Sequence, residues 1–315
     1  MSTTPTNTPA ASIEPGLIGA FAALVAGAVA MGISPVFVRF AAADIGPFAS
    51  AFWRVFLALP VLYVWMRIDE ARRPGLAGRA SWTKATIFAG LAFVGDLIFW
   101  HLAILNTTVA NATFFATTAP IFVILISWAV LRVTIARATL AGLALCLLGG
   151  GALIGQSMQI APERIAGDVY GVITAFFFAL YFLGVEKARR SGGSAGRVTF
   201  ELSLVTAAGL FVAAIIAERQ ILPTTPEAIA ALVALAFISH AGGQGLLSVA
   251  LGRLPAVFSS LVIFIEAVAA ALFGWLILSE ALTLVQALGG ALILTGIWVA
   301  RPRRNRPALP AAAPP

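Results

Sequence analysis

Apolar stretches recur along the chain, and short polar segments separate them. Ten of these stretches lie near 17–38, 47–66, 86–105, 108–131, 138–157, 167–185, 198–217, 228–250, 256–278 and 283–300. A helix needs about 20 apolar residues to cross the hydrocarbon core of a bilayer, which is roughly 30 Å thick. The pattern therefore predicts an all-α integral membrane protein with ten transmembrane helices.

The composition agrees with a membrane location. Hydrophobic residues make up 60% of the chain and charged residues 10%, whereas soluble domains average about 45–50% and about 25%. The single cysteine, Cys146, excludes an internal disulfide, and the two histidines, His101 and His240, are too dispersed for a metal-binding pattern. We therefore expect no cofactor and no metal ion.

The two ends of the chain differ from its apolar middle. Residues 1–16 are rich in Thr, Pro and Ala and contain no Lys or Arg, so they lack the positive start of a cleavable signal peptide. Residues 301–315 begin with basic side chains and end in a Pro/Ala tail. We expect disorder in the N-terminal segment and in this tail.

Positive charge is distributed unevenly over the predicted loops. With a cytoplasmic N-terminus, sixteen Lys and Arg residues fall in inner segments and three fall in outer ones, while Arg54 lies within a helix. Cytoplasmic loops carry the excess of Lys and Arg in membrane proteins. The distribution predicts that both termini lie in the cytoplasm, and it accounts for the net charge of +7 without nucleic-acid binding.

The two halves of the chain match each other at a constant offset of 147 positions. The matched pairs include Trp128 with Trp275, Leu131 with Leu278, Gly142 with Gly289 and Gly149 with Gly296. The offset gives each half five helices, so the second half must enter the membrane with the opposite polarity. Such inverted repeats are a transporter architecture, with the substrate site near the midplane between the repeats. We therefore predict two inverted five-helix repeats, at 17–157 and 167–300.

Several segments carry a resemblance to a known family. They are 103–112, 119–122, 128–142, 265–268 and 275–283, together with Gln286 and Gly289. In these segments the chain resembles the drug/metabolite transporter superfamily, in its ten-helix form with two EamA-like domains, and the resemblance implies transport of a small solute. Ala267 departs from the family pattern, where a proline is usual, and so does Arg132-Val133, where a Gly-Glu pair is common. Within the superfamily the chain is most similar to bacterial amino-acid exporters, especially the aromatic amino-acid exporter type. This resemblance implies a location in the bacterial inner membrane.

Charged side chains inside the predicted helices are the first candidates for a substrate site. A charge at the bilayer centre costs roughly 2.5–3.5 kcal/mol on insertion scales, so each charged residue there is expected to have a structural or functional role. Arg54 lies about seven residues into the second predicted helix. Its guanidinium could hold a substrate carboxylate through two parallel hydrogen bonds. An ion pair between helices, or a side chain that reaches the outer headgroups, is the alternative.

The third predicted helix carries an acid beside an aromatic side chain. Asp96 and Trp100 are four residues apart and share one face of the helix. An acid and an indole together suit a substrate ammonium group, through charge pairing and cation–π attraction. A structural ion pair between Asp96 and Arg54 is an equal alternative. His101 could titrate near neutral pH, although a packing role for this histidine is favoured.

Two further helices carry polar side chains on one face. Asn111 and Thr118 are seven residues apart on the fourth predicted helix. His240, Gln244 and Ser248 repeat every four residues on the eighth. Polar faces on membrane helices point toward a cavity or a neighbouring helix, so both faces are predicted to line the transport cavity.

An acid near the middle of the ninth predicted helix and an aromatic pair on the sixth complete the candidate site. Glu266 could bind a substrate amine or carry a coupling proton, with a structural hydrogen bond as the alternative. Phe177 and Tyr181 share a helix face and could form a wall for a large apolar substrate.

Opposite charges in one cavity suit a zwitterion. We therefore expect a secondary transporter that exports amino acids or related small metabolites by alternating access. Efflux of amphiphilic drugs or metabolites is the alternative. An intramembrane enzyme or a channel is less consistent with the sequence, which has no Gly-rich phosphate loop, paired-acid motif or selectivity element. The expected partners are a small-molecule substrate and the lipid bilayer, and a monomer is compatible with the sequence.

Overall fold

A computed structural model describes residues 15–155, 162–278 and 283–302, and every regular element in these ranges is a helix. The α-helices are α1 (Pro15–Gly32), α2 (Ser34–Phe56), α3 (Leu59–Arg72), α4 (Lys84–Asn106), α5 (Val109–Thr117), α6 (Ala119–Ala129), α7 (Arg137–Ile154), α8 (Ile165–Arg190), α9 (Ala195–Ala217), α10 (Pro226–Ala234), α11 (Gly245–Leu251), α12 (Ala256–Val262), α13 (Ile265–Leu278) and α14 (Leu284–Ala300). A π-helical segment, Leu235–Gln244, joins α10 to α11. The predicted disordered N-terminal segment, 1–16, lies almost entirely outside the described residues, and the predicted disordered tail, 307–315, lies wholly outside them.

By length and apolar composition, eight helical stretches of the described chain can cross a membrane. They are Gly16–Arg72, Lys84–Asn106, Val109–Ala129, Arg137–Ile154, Pro162–Arg190, Ala195–Ala217, Pro226–Leu251 and Ala256–Phe273, and the shorter apolar helix Leu284–Ala300 follows them. The first stretch has 57 residues, which would measure about 85 Å as one straight helix. Because this length far exceeds the bilayer core, the stretch cannot cross the membrane as one straight helix. The chain is a multi-pass, all-helical membrane protein.

Helix α2 bends sharply at Gly46. This residue has φ 81° and ψ 170° within an otherwise helical stretch, and Pro47 follows it. A positive φ of this kind favours glycine because it has no Cβ. A residue that is distant in the sequence stabilises this turn, because the backbone N–H of Phe48 donates to Oε1 of Glu218 at 3.2 Å. A Cβ at position 46 would collide with this same Glu218 carboxylate.

Gly46→Ala is therefore expected to destabilise the protein. The φ and ψ of residue 46 lie in a region that is essentially restricted to glycine and should cost alanine about 1–3 kcal/mol. Displacement of Glu218 should cost about 1 kcal/mol more through the lost hydrogen bond. Thermal unfolding of the purified protein measures the loss. Gly78→Ala separates the two effects, because Gly78 has φ 67° but open space around it, and Gly75→Ala serves as the neutral control. Equal melting temperatures for Gly46→Ala and Gly78→Ala would show that the Glu218 contact adds nothing.

Helices α7 and α14 approach each other at glycines. A Cβ on Gly142 would lie 2.5 Å from the carbonyl oxygen of Gly296, and one on Gly149 would lie 2.5 Å from that of Gly289. As the residue number rises along α7 it falls along α14, so the two helices are antiparallel. Between these contacts the thiol of Cys146 faces the carbonyl oxygen of Ile293 at 3.6 Å. Small residues at such positions allow two membrane helices to pack backbone to backbone.

The core of the bundle lies around α4, α8 and α9. Phe93 and Tyr181, both fully buried, stack with their ring centroids 4.5 Å apart. The hydroxyl of Thr206 donates to the carbonyl oxygen of Gly90 at 3.0 Å and joins α9 to α4. Large apolar side chains on the outer faces, such as Trp128 and Ile216, are exposed, as expected for a bundle surrounded by lipid.

Candidate functional site

A small cavity lies in the middle of the bundle, where several helices converge. Its volume is about 40 Å³. The residues that line it are Met31, Ser34, Arg54, Asp96, Leu97, Trp100, Ala116, Thr174, Phe178, Gln244 and Glu266. They come from α1, α2, α4, α5, α8, the π-helical segment and α13. The cavity thus combines one basic side chain, two acids and an apolar wall.

Interruptions of helical geometry surround this cavity. Helix α1 gives way to α2 at Ile33, between the lining residues Met31 and Ser34. Helix α12 ends at Val262 and α13 begins at Ile265, with Glu266 in its first turn. The π-helical segment ends at Gln244. Irregular backbone at membrane depth is tolerated where it lines a cavity, and in transporters such breaks form the substrate site.

Arg54 is buried inside the bundle with only 3% of its surface exposed. Its guanidinium carbon lies 5.2 Å from the centroid of the Trp100 ring, within cation–π distance. Its Nε atom has no hydrogen-bond partner among the described residues. A side chain placed in this way does not reach the headgroups, so the snorkelling alternative does not apply.

The two cavity acids lie within electrostatic reach of Arg54, but neither forms an ion pair with it. The ion pairs formed within the described parts of the chain all lie outside this cavity. An ion pair between Asp96 and Arg54 was the structural alternative at the sequence level. Both residues are described, and their side chains form no such pair. A basic and two acidic groups that face one cavity without pairing are available to a ligand that carries both charges.

Unpartnered polar atoms cluster in and around the cavity. Proteins leave few buried polar atoms without a hydrogen bond, and each such atom calls for an explanation. Here they include Oγ of Ser34, Nε of Arg54 and Oε1 of Gln244 in the cavity lining, and the hydroxyl of Tyr181 behind it. A polar ligand in the cavity would supply partners for the first three.

Three of the predicted site residues form a layer next to the cavity. His101 places Nδ1 2.7 Å from the carbonyl oxygen of Leu97 and sets its ring at 81° to the Trp100 indole. His240 places Nε2 2.9 Å from Oγ of Ser203 and stacks on Phe93, which also stacks on Tyr181. These contacts hold the rings in place, so His101, His240 and Tyr181 support the cavity rather than line it.

Three other predicted residues lie away from the cavity. The amide of Asn111 donates to Oδ1 of Asp168 at 3.0 Å. Thr118 lies at the junction of α5 and α6, and its hydroxyl donates to the carbonyl oxygen of Phe115 at 2.6 Å. Phe177 stacks on Phe99 with their centroids 5.8 Å apart. Their assignment to the substrate site stays a prediction that this geometry does not favour.

Several residues that line the cavity were not predicted from the sequence: Met31, Ser34, Leu97, Ala116, Thr174 and Phe178. Apart from Ser34 and Thr174 these are ordinary apolar residues, which no sequence signal distinguishes from the core. Ser34 precedes Pro35 at the break between α1 and α2. A small polar residue beside a proline within an apolar stretch is the sequence feature that could have indicated its place in the cavity.

A network of charges closes one end of the bundle beside the start of α9. Arg197 contacts Glu70 of α3, and its Nη1 lies 2.9 Å from Oε1 of Glu201. The Glu201 carboxylate also accepts hydrogen bonds from the Ser81 hydroxyl at 2.6 Å and the Trp82 backbone N–H at 2.7 Å. We call this set the Arg197 network. It joins α3, α9 and the loop that follows α3.

A second network closes the opposite end, beside the segment that follows α9. Asp44 accepts hydrogen bonds from the hydroxyl and the backbone N–H of Thr224, at 2.6 and 2.7 Å. The indole N–H of Trp53 donates to the carbonyl oxygen of Ile221 at 2.7 Å. Because α9 begins beside one network and ends beside the other, the two networks lie at opposite ends of the bundle.

The acids and histidines of the site do not form a metal centre. Within the described ranges, no group of three or more His, Cys, Asp or Glu side chains could hold a metal ion.

Comparisons with known proteins give a consistent result over nearly the whole chain. The sequence profile of the EamA-like transporter family matches residues 17–154 and again 165–301. Two uncharacterized transporters of Archaeoglobus fulgidus are similar to the chain. One is 30% identical over 296 residues, covering 89% of this chain and 95% of its own length, and the other is 22% identical over 275 residues, covering 86% and 93%. A solved crystal structure superposes with a TM-score of 0.73 at 19% identity, covering 92% of this chain and 97% of the other.

Proposed function

The chain belongs to the EamA-like transporter family, and on this premise we propose that it is a secondary transporter that exports amino acids or closely related zwitterionic metabolites. The observation that carries the proposal is the central cavity, where Arg54 faces Asp96 and Glu266 without an ion pair. A zwitterion would neutralise both charge types at once. Such a ligand offsets the cost of keeping these groups inside the membrane.

The groups of the cavity suit the parts of an amino acid. The Arg54 guanidinium can hold a carboxylate through two parallel hydrogen bonds. Asp96 or Glu266 can pair with the ammonium group. The side chain of the substrate would then contact Trp100 and Phe178, so aromatic or other apolar side chains fit this wall best.

We further propose that ten transmembrane helices form two inverted repeats, at 17–157 and 167–300, with both termini in the cytoplasm of a bacterial cell. The contact between α7 and α14 supports the inversion. At the 147-residue offset, Gly142 is equivalent to Gly289 and Gly149 to Gly296. Gly142 contacts the equivalent of Gly149, and Gly149 contacts the equivalent of Gly142. Cys146 contacts its own equivalent, Ile293. Reciprocal contacts of this kind arise when two repeats are related by a twofold axis.

Transport by alternating access requires the cavity to enlarge. Its 40 Å³ is well below the roughly 300 Å³ at which ligand pockets begin, so an amino acid needs a larger cavity than this one. The Arg197 network and the Asp44 network bridge different helices at opposite ends. We propose that they open in turn, and that the breaks at Ile33 and Gly46 allow the helices to move.

The proposal is tested by counterflow of labelled amino acids into proteoliposomes. Saturable uptake that aromatic amino acids inhibit more strongly than charged ones is the expected result, because the apolar wall discriminates on side chains. Empty liposomes and liposomes with Arg54→Gln protein serve as controls.

The apolar wall, formed by Met31, Leu97, Trp100 and Phe178, also favours a second candidate function, the efflux of amphiphilic compounds. A cationic dye added to the same proteoliposomes distinguishes the two functions. Transport of the dye without exchange of any amino acid would establish amphiphile efflux instead of amino-acid export.

A further inference from the structure

A second cavity lies at the end of the bundle that also carries the Arg197 network. Its volume is about 300 Å³. The residues that line it are Trp65, Ile68, Asp69, Arg72, Arg73, Arg189, Ala195, Val249, Gly252 and Arg253. We call it the arginine cleft. It is formed where α3, α8 and α11 end and where α9 begins. The ends of membrane-spanning helices are expected near the headgroups.

The arginine cleft has a strong excess of positive charge. Four arginines line it and one aspartate accompanies them. Asp69 is already engaged, because its carboxylate lies 3.7 Å from Nε of Arg73 and accepts a hydrogen bond from the backbone N–H of Gly196 at 3.1 Å. The guanidinium of Arg72 forms no hydrogen bond or ion pair with the described residues, and Arg253 makes only a 3.5 Å contact to the carbonyl oxygen of Gly16.

Arg189 forms the fixed part of the cleft. Its Nε donates to the carbonyl oxygen of Ser248 at 2.9 Å, and its Nη1 donates to the carbonyl oxygen of Gly193. The guanidinium lies against the backbone of Gly252, where a Cβ would collide with it. Neutral carbonyl groups orient this arginine without cancelling its charge. It therefore presents a positioned cation to an incoming anion.

One wall of the cleft is apolar and continues onto the surface that faces lipid. Ile68 and half-buried Trp65 lie on α3, whose neighbouring side chains Val61 and Val64 are exposed. Free phosphate would gain nothing from such a wall. A molecule with an anionic head and acyl chains would use both the arginines and the apolar surface, and basic pockets between membrane helices bind such headgroups.

We propose that the arginine cleft binds the phosphate group of an anionic phospholipid, with its acyl chains lying along the apolar face of α3. Arg72 and Arg253 contact the phosphate from the open side, and Arg189 contacts it from within. The site is separate from the central cavity, so this proposal does not depend on which solute the protein transports.

Native mass spectrometry of the protein released from detergent micelles tests the proposal. The protein is loaded with phosphatidylglycerol or with phosphatidylcholine of the same acyl chains. We expect selective retention of phosphatidylglycerol. Each arginine near an anionic headgroup contributes a factor of about five, so the double variant Arg72→Gln/Arg253→Gln should weaken retention about 25-fold. Both side chains are exposed, and unchanged thermal unfolding of this variant checks that it folds.

A matched control removes the same charge elsewhere. Arg67→Gln/Arg79→Gln replaces two exposed arginines that do not line the cleft, and retention of phosphatidylglycerol should stay as in the unchanged protein. Equal retention of both lipids, or equal loss in both double variants, would overturn the proposal. Displacement of phosphatidylglycerol by millimolar inorganic phosphate would also overturn it, because the ligand would then be the free anion and not the lipid.

Discussion

Arg54→Gln is expected to reduce amino-acid counterflow about 30-fold or more. Arg54 is the basic group of the central cavity, and its replacement leaves the carboxylate of a bound amino acid without a charge partner. Removing one partner of a buried charged pair costs about 2 kcal/mol or more, which corresponds to roughly 30-fold in affinity. The measurement is the half-saturation concentration for labelled substrate in proteoliposomes that contain equal amounts of protein.

Two comparisons show whether the loss comes from carboxylate recognition. Arg54→Lys keeps the charge but not the planar fork, so we expect a partial loss, while the exposed variant Arg79→Gln should behave as the unchanged protein. Amino-acid amides, which lack the carboxylate, should compete equally well in Arg54→Gln and in the unchanged protein. If Arg54→Gln weakens amides and amino acids by the same factor, Arg54 has a structural role and not a carboxylate-binding one.

The polar part of the central cavity could largely be predicted from the sequence. Arg54, Asp96 and Glu266 stand out because a charge inside a membrane helix is costly, and helical spacing adds Trp100 to Asp96. All four line one cavity. The physical reason is general: in an apolar chain, ionisable side chains avoid lipid and converge on the interior of the bundle.

The apolar part of the cavity could not be predicted in the same way. Successive helical residues differ by about 100° in direction, so Phe178 lines the cavity while its neighbour Phe177 stacks on Phe99. The side chains of three aromatic residues in a row look alike in the sequence, and only the packing of α8 against α4 decides between them. The hydrogen bond of Asn111 could not be predicted from the sequence either, because its partner Asp168 lies 57 positions away.

The number of membrane crossings illustrates what local backbone geometry adds. Hydropathy alone separates the predicted helices 17–38 and 47–66, yet α2 runs across this boundary from Ser34 to Phe56, and Gly46 is its one residue with non-helical φ and ψ. The Gly-Pro pair at 46–47 was visible in the sequence, but its positive φ depends on the distant Glu218 contact. The proposed count of ten crossings therefore depends on a turn that tertiary contacts stabilise.

Glu266→Gln is expected to abolish the response of transport to an imposed pH gradient while amino-acid counterflow continues. Glu266 lies in the first turn of α13, directly after the break at Phe264, and its backbone carbonyl lies close to Gly32, just before the break in α1. A carboxylate at the junction of two interrupted helices can exchange a proton for substrate as these helices move, and an amide cannot. The measurement is substrate accumulation with and without a pH gradient across the proteoliposome membrane.

Asp96→Asn and Glu227→Gln complete this experiment. Asp96 lies on uninterrupted α4 beside Trp100, so we expect Asp96→Asn to weaken binding of the substrate ammonium and to reduce counterflow about tenfold or more, as for loss of a charged hydrogen bond. Glu227 is an exposed acid in the first turn of α10, and its replacement should change neither property. If Glu266→Gln protein still accumulates more substrate with the pH gradient than without it, Glu266 does not carry the coupling proton. If Asp96→Asn loses the gradient response instead, the two carboxylates have exchanged roles: Asp96 carries the proton and Glu266 holds the amine.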